Sequence, residues 1–395
     1  MKVVCVPAGW SRAELQQLVY FQRGFDITKA QQKPGDIPVI SSSGVTSFHN
    51  EAKAQGPGIV IGRKGTLGSI HFTERAYWPH DTTLWSKEIH GNNARFVYYY
   101  LHLFDFQHLD VGNANPTLNR NHIHKLEIAI PPKSIQDAIA TVLGAYDDLI
   151  ATNQRRIALL EDAARSLYHE WFVHLRFPGH ESVPVKDGVP EGWLSLTLGD
   201  VCDAVGGGTP STARPEYWGG DVTWVTPTDV TRNDCLVLLD SEKKITEAGL
   251  ANSSAKLVPP ETILMTSRAS IGFFALMDKP ACTNQGFISV LPKQDSARMF
   301  LLFNLLGRVE EMIGLATGAT FKELSKKTFR ALPVLWPTDA LLKLYEDKTY
   351  PLIQQVRLIK KQNQELTKAR DLLLPKLMSG QLDVSGIPLP EVVAA

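Results

Sequence analysis

The chain has 395 residues, with 41 Lys and Arg against 41 Asp and Glu, a hydrophobic fraction of 44% and four cysteines. That length exceeds the roughly 250–300 residues at which one core usually splits, so two globular domains with connecting segments are expected. Zero net charge excludes a simple basic nucleic-acid-binding module. The sequence holds no apolar run of about 18 residues and no basic-then-apolar leader, which speaks against a membrane span or signal peptide and makes a cytoplasmic location the default. Cys5, Cys202, Cys235 and Cys282 form no CxxC pair, so reduced structural thiols are expected rather than disulfides or zinc.

Along the chain, one unit is written twice. Val6-Pro7-Ala8-Gly9-Trp10 returns as Val189-Pro190-Glu191-Gly192-Trp193. Residues 34–40 match 219–225, a turn feeding a short apolar strand in each copy. The stretch 58–68, with Arg63-Lys64-Gly65-Thr66-Leu67-Gly68, matches 261–272, with Arg268-Ala269-Ser270-Ile271-Gly272. In both, an apolar strand runs into a cation, a small hydroxyl residue, a branched apolar residue and glycine. Each copy closes with a strand and proline, at 126–132 and 332–337, and the growing offset between copies is what inserted surface loops produce. Short β-rich runs at 59–61, 262–265 and 287–291, with helical patterns at 95–104 and 298–312, make each copy a mixed α/β domain. The helical spacing of Tyr98, Tyr99 and Tyr100 favours core packing over a base-stacking platform.

After each copy the pattern becomes a coiled-coil seam. Ile150, Asn153, Ile157, Leu160, Ala164, Leu167 and Trp171 alternate spacings of three and four, as do Leu352, Gln355, Ile359, Gln362, Leu366, Ala369 and Leu373. The first helix is expected over 146–171, about 39 Å long, and the second with Pro351 in its first turn. Neither seam buries itself alone, so the two helices should pair antiparallel, with Asn153, Gln355 and Gln362 setting register. The fold expected is mixed α/β (α+β): two similar globular domains separated by two long antiparallel coiled-coil helices, a pseudo-twofold internal repeat. Its two tips should lie about 34–36 Å apart, the spacing of half-sites read from one face of a duplex.

The domain and helix alternation, the strand-Lys/Arg-x-Thr/Ser-x-Gly turn and the ending Leu372-Leu373-Leu374-Pro375-Lys376-Leu377-Met378-Ser379-Gly380 resemble the specificity subunit of Type I restriction-modification systems over nearly the whole chain. The first helix departs from that ending, closing on Leu167-Tyr168-His169-Glu170-Trp171-Phe172. The resemblance implies target-recognition domains at 1–133 and 181–337 and helical spacers at 134–180 and 338–395. It also implies a gapped double-stranded DNA target, two methyltransferase subunits and motor-nuclease subunits as partners. S-adenosylmethionine, ATP and Mg2+ would be bound by those partners and not by this chain.

Base and phosphate contact needs polar or cationic side chains on loops and helix tips. In the first copy the candidates are Ser42, Asn50, Arg63, Lys64, Thr66, Asn113, Asn115, Thr117, Asn119 and Arg120, the last five on an expected loop. In the second they are Thr228, Ser267, Arg268, Ser270, Thr320, Lys322 and Lys326. Each has a plain reading as turn chemistry. Residues 1–133 carry 14 Lys and Arg against 10 Asp and Glu, whereas 190–337 carry 14 against 16, so the second copy must concentrate its cations, as Lys322, Lys326, Lys327 and Arg330 do. A near-neutral chain should bind DNA weakly without its partners.

Catalytic readings fare worse. Gly206-Gly207-Gly208-Thr209-Pro210 lacks the Lys-Ser/Thr of a phosphate loop and reads as a mobile turn. Asp36, Glu51 and Lys53 form a loose nuclease-like pattern that the second copy lacks, and His122 and His124, on one face if extended, have no third metal ligand. No Asn/Asp-Pro-Pro-Tyr/Phe, HExxH or Gly-x-Ser-x-Gly motif occurs. Two readings remain: a non-catalytic DNA-specificity subunit, or a duplicated scaffold gripping protein or RNA.

Overall fold

A computed structural model describes residues 6–106, 117–318 and 321–384. The chain divides into two compact units, Met1–Ile150 with Glu365–Ala395, and Ala151–Gln364. That division runs through both long helices, Lys133–Tyr168 and Asp339–Met378.

In the first unit, strand Ser11–Glu14 pairs antiparallel with Glu127–Ile130 and a short helix, Leu15–Leu18, follows. An antiparallel four-stranded sheet then runs in the order Tyr20–Arg23, Thr83–Glu88, Gly58–Gly62, Ile70–Thr73. A smaller sheet holds Ile37–Ser41 between Gly44–His49, antiparallel, and Trp78–Pro79, parallel. The second unit repeats this plan. Leu194–Thr197 pairs with Pro333–Trp336; a larger sheet runs Cys202–Gly206, Phe287–Pro292, Ile263–Thr266, Phe274–Met277, Val237–Leu238; and Trp218–Val225 lies between antiparallel Lys243–Ile245 and parallel Ala281–Thr283. The two sequence copies are therefore two copies of one topology. Ile59, Val60 and Ile61, like Ile263, Leu264 and Met265, are fully buried, because central strands covered on both faces read as continuous apolar runs rather than alternations.

Helix Ala94–Leu101 starts where Asn93 Oδ1 accepts from Phe96 N at 3.0 Å. It buries Tyr99 and Tyr100, and Tyr98 packs on Phe72 and His102, so the tyrosine run is core. The expected helix over 298–312 is two, Arg298–Leu306 and Val309–Leu315, interrupted at Gly307. Gly206, Gly207 and Gly208 do not form a mobile turn. Gly208 N donates to Thr283 O at 2.8 Å, Gly208 O accepts from Trp224 Nε1 at 2.9 Å, and a Cβ on Gly207 would lie 2.2 Å from two backbone oxygens.

Both long helices begin earlier than their seams indicate, immediately after the closing strand of each copy. Pro351 sits inside the second helix, on its exposed side, so it is not a first-turn residue; the surrounding packing carries the lost backbone hydrogen bond. In the second unit Asn153, fully buried, donates to Gln362 Oε1 at 3.2 Å and Asn363 Oδ1 at 2.8 Å, and Tyr345 Oη donates to Ala164 O at 2.9 Å. These contacts make the helices antiparallel. Ile157 and Ile359 are buried, and Leu160, Leu167 and Leu352 pack half-buried against the same core. Gln355 is exposed, whereas Ile353 and Val356 are fully buried. The helix meets both its partner helix and the globular core, and two neighbours shift and widen the buried stripe beyond one seam. In the first unit Arg370 pairs with Asp147 at 2.5 Å, and Leu377 joins Ile139 and Leu143 in the core with Leu373 packed against it. Ile150 and Leu366 are half-buried.

Each Val-Pro-x-Gly-Trp motif is a tight turn with its glycine at φ +79° or +85°. In the second unit Trp193 packs on Phe172 and Phe177, just past the first long helix. In the first unit Pro7 and Trp10 line a cavity of about 350 Å³ with Leu377, Gly380 and Val384, just past the second.

Glu346 on the second long helix is 8% exposed, accepts from Met299 N at 2.8 Å and faces Arg298 at 3.5 Å. Burial pushes its carboxyl up to about 7. The folded chain thus holds this proton to higher pH than the unfolded chain, and stability falls as pH rises from the ordinary carboxylate range through 7. The expected result is that Glu346→Gln, which keeps the acceptor for Met299, is more stable than the parent at pH 8 and loses that advantage below pH 5. Parallel urea titrations at the two pH values check it; an equal difference at both would refute it.

Candidate nucleic-acid interface

In the first unit the turn after Gly58–Gly62 is held by its backbone. Arg63 N and Lys64 N both donate to Thr82 O, at 2.8 and 3.1 Å, and Gly68 N donates to Gly62 O at 2.8 Å. Gly65 and Gly68 adopt φ +74° and +75°, which glycine takes without steric cost. Leu118 N donates to Arg63 O at 3.0 Å, joining the candidate run at 117–120 to this turn. Lys64 and Thr66 are exposed. Arg63 is half-buried; its Nη1 is buried with no hydrogen-bond partner among the described residues, and desolvation, then Arg23, holds its guanidinium below its ordinary value. A buried N–H without a partner costs free energy that an arriving acceptor would recover.

Other candidates in this unit belong to the framework. Ser42 is buried, and its carbonyl receives Ser69 Oγ and His71 Nε2. Asn119 Oδ1 accepts from Asn121 N at 2.9 Å and caps helix Arg120–His124, so the expected loop becomes a helix there. His124 is buried with Nε2 accepting from Phe21 N at 3.0 Å while His122 is exposed; residues two apart on a helix do not share a face. Lys53 is engaged by Glu51 and by the ring of Trp78, 4.9 Å away, which gives the nuclease-like pattern a structural role. Asn50 and Arg120 are exposed and Thr117 half-buried; Asn113 and Asn115 lie outside the described residues.

The second unit builds the same turn with different residues. Gly272 N donates to Thr266 O at 3.0 Å, and Ala269 takes the left-handed conformation, φ +61°, that Gly65 takes in the first. Leu324 N donates to Ser267 O at 2.9 Å, the counterpart of the Leu118 to Arg63 bond. Ser267 is buried and structural, whereas Arg268 and Ser270 are exposed. Thr317 and Glu323 exchange backbone hydrogen bonds of 3.0 and 2.8 Å, and Ala269 N donates to Lys322 O at 2.9 Å. The two candidate clusters of this copy, one around Arg268 and one around Lys322, thereby form one surface. Ser325 caps helix Lys326–Arg330, as Asn119 caps its counterpart. Exposed Lys326 lies beside Gly206, where a Cβ would come 2.8 Å from its Nζ. Arg330 Nη2 is bound to Ala204 O at 2.9 Å and is structural. Thr228 is exposed on helix Pro227–Thr231, which Thr226 and Asp229 cap; Thr320 lies outside the described residues. Phe321, exposed beside Lys322, carries no polar signal by which the sequence could single it out.

Cys202, Cys235 and Cys282 are buried free thiols, and burial pushes Cys202 up to about 12 and Cys282 to about 11, so they remain protonated; Cys5 lies outside the described residues. No helix among the described residues is long and apolar enough to cross a membrane.

Comparison with known proteins gives a consistent picture. The model of the Type I restriction modification DNA specificity domain matches twice, over residues 7–162 and 190–368. The MjaIX specificity subunit of Methanocaldococcus jannaschii is 36% identical over 152 residues, 38% of this chain but only 35% of that subunit. The HindI specificity subunit of Haemophilus influenzae is 22% identical over 329 residues, covering 68% of this chain and 71% of its own. A crystal structure of the S subunit from M. genitalium superposes over 93% of this chain and 96% of its own, with a TM-score of 0.60 and 17% identity, a likeness of fold.

Proposed function

The chain belongs to the family of Type I restriction modification DNA specificity domains, and from that premise we propose that it recognises a bipartite, gapped DNA target and directs partner subunits to it. The observation that carries this reading is the duplicated turn. Two copies of one topology, the second with an added edge strand, each present a cation, Lys64 or Arg268, beside a small hydroxyl residue on a backbone-braced, glycine-closed loop. Bracing fixes where these groups point, which readout of a fixed lattice of phosphates and base edges requires. The copies differ in the residues around the turn, so each is suited to a different half of an asymmetric target.

In this proposal the chain is non-catalytic. Two methyltransferase subunits dock on the long helices, where Leu159 and Leu358 in the second unit and Leu149 and Leu372 in the first stand exposed. Motor-nuclease subunits join that assembly. S-adenosylmethionine, ATP and Mg2+ act in those partners, and partner cations supply phosphate contacts that this neutral chain lacks.

The test is co-expression with the neighbouring methyltransferase subunits, followed by sequencing of genomic methylation with and without the chain. A split motif that appears only with the chain supports the proposal; identical methylation overturns it. Exchange of residues 190–337 for those of a relative should then rewrite one half of the motif alone. A finer expectation concerns phosphate contact. Lys64→Ala and Arg268→Ala should each weaken binding across all sequences and lower the slope of log affinity against log salt by about 1. A change confined to one base position, with the slope intact, would instead make that residue a base reader.

A further inference from the structure

We propose that Glu161 and Lys360 are positioning residues that hold the second recognition domain in one register on its helices, and so confine the recognised motif to one gap length; this rests on the DNA-recognition reading above. The larger sheet of the second unit carries an edge strand, Val237–Leu238, parallel to Phe274–Met277. Among the described residues, the sheet of the first unit stops at Ile70–Thr73, the counterpart of Phe274–Met277. The extra strand and its lead-in are therefore an insertion, and it falls between the matched stretches 219–225 and 261–272. Each long helix puts one charged side chain into that insertion. Glu161, on Lys133–Tyr168, accepts from Leu236 N at 2.5 Å. Lys360, on Asp339–Met378, donates to Asn233 and to Val237 O at 3.0 Å, lies 3.4 Å from Cys235 Sγ and pairs with Asp234 at 3.2 Å.

These contacts are poor value as stability alone. The Lys360 side chain is only 14% exposed, and burial pushes the Glu161 carboxyl above its ordinary value. Well-packed apolar residues in their places would hold the domain about as firmly, because desolvating the charges offsets much of what the contacts return. What the charged groups add is direction. Ile157 and Ile359 share one apolar core with Leu236 and Val237, and apolar burial is non-directional, so it tolerates a slide or rotation that keeps the area covered. A carboxylate and an ammonium aimed at single backbone groups do not. The receiving loop is stiff: Asn233 Nδ2 donates to Cys235 O and to Val237 O at 3.1 Å, and the sheet ties the strand on through Leu276 N to Leu236 O, 2.6 Å, and Asp278 N to Leu238 O, 3.0 Å. Successive base pairs lie about 3.4 Å apart along the duplex, so a domain that shifted by that much on its helices would read its half of the motif one base pair out of place.

The experiment uses the full chain assembled with its methyltransferase subunits and duplexes bearing the split motif found by methylation profiling, with the native gap or with one base pair removed or added. The parent complex should accept only the first. In the double variant Glu161→Leu, Lys360→Met the ratio of kcat/KM at the native gap to that at either neighbour should fall about 10- to 100-fold, the range of one lost charged hydrogen bond. The bases required in each half should stay the same. Glu161→Gln, which keeps an acceptor for Leu236 N, should retain most of the ratio. Should the double variant fail to assemble, Lys360→Met alone, which leaves Val237 O bonded to Asn233 Nδ2, carries the same test. An unchanged ratio overturns the proposal, as does an equal loss of activity at all three gaps, which would make the pair a stabilising contact alone. A changed base requirement overturns it too, by assigning the insertion to readout. If the parent complex methylates no split motif, the DNA-recognition reading itself falls, and that outcome is visible before any variant is made.

Discussion

Arg357→Ala should lower the unfolding free energy of the second unit by about 3 to 5 kcal/mol, the cost of removing one member of a buried charge cluster. Arg357 is 7% exposed on the second long helix. Its Nη2 meets Glu261 and its Nε lies 2.7 Å from Asp278 Oδ1, while Lys361 reaches Asp278 Oδ2 at 3.0 Å. The Arg357 N–H groups are not aligned as hydrogen bonds on these carboxylates, so the pairing is mainly Coulombic, and Glu261 Oε2 is buried without a hydrogen-bond partner. Removing the guanidinium leaves the largely buried Glu261 carboxylate and one oxygen of Asp278 without a counter-charge. Desolvating three charges offsets much of what their attraction returns, so the triple variant Arg357→Met, Glu261→Gln, Asp278→Asn should regain most of the loss. Urea titration of the three proteins decides the matter. A loss below about 1 kcal/mol for Arg357→Ala would mean that water already screens the cluster.

Gly272→Ala should cost about 2 to 4 kcal/mol, from two separable causes. The residue sits at φ +89°, where a Cβ is strained by about 1 kcal/mol or more, and that Cβ would lie 2.4 Å from Val309 Cγ1, an overpacking worth about 1 to 3 kcal/mol. Adding Val309→Ala opens the space without changing the backbone, so a double-mutant cycle should recover the steric part and leave the conformational part. Additive effects would show that the helix starting at Val309 already moves aside. Ala269→Gly, three residues earlier at φ +61°, should be neutral or stabilising by up to about 1 kcal/mol, since relief of the left-handed strain competes with the added freedom of glycine in the unfolded chain. Because this turn carries Arg268 and Ser270, the DNA contact proposed for it predicts that Gly272→Ala also weakens DNA binding, whereas Ala269→Gly should show how far the turn depends on rigidity.

The repeat, the mixed α/β class and the paired helices were legible because each leaves a local signature: a recurring turn, continuous apolar runs in central strands and apolar residues at spacings of three and four. Helix starts were less so. Pro351 reads as a first-turn residue by propensity, yet the helix begins at Asp339, since tertiary packing of the flanking turns outweighs one lost backbone hydrogen bond. The seam at Gln355 misled for a related reason: a helix touching both a partner helix and a sheet-bearing core buries more than one stripe, as Ile353 and Val356 show.

The candidate contact residues divide along the same line. Residue type alone does not separate Ser42 and Ser267, buried and bonded into the framework, from Ser270 and Thr66, exposed on the turn. Nor does it separate Asn119, a helix cap, from exposed Asn50. Amino-acid order by itself determined that one fold occurs twice, that helices follow each copy, and that each copy carries a cation on a glycine-closed turn, because these are properties of short stretches. Only the tertiary structure decided which polar side chains face solvent and that the Arg268 and Lys322 clusters share one surface. Those facts depend on hydrogen bonds between residues about fifty positions apart, such as Ala269 to Lys322, and no local periodicity encodes such a bond.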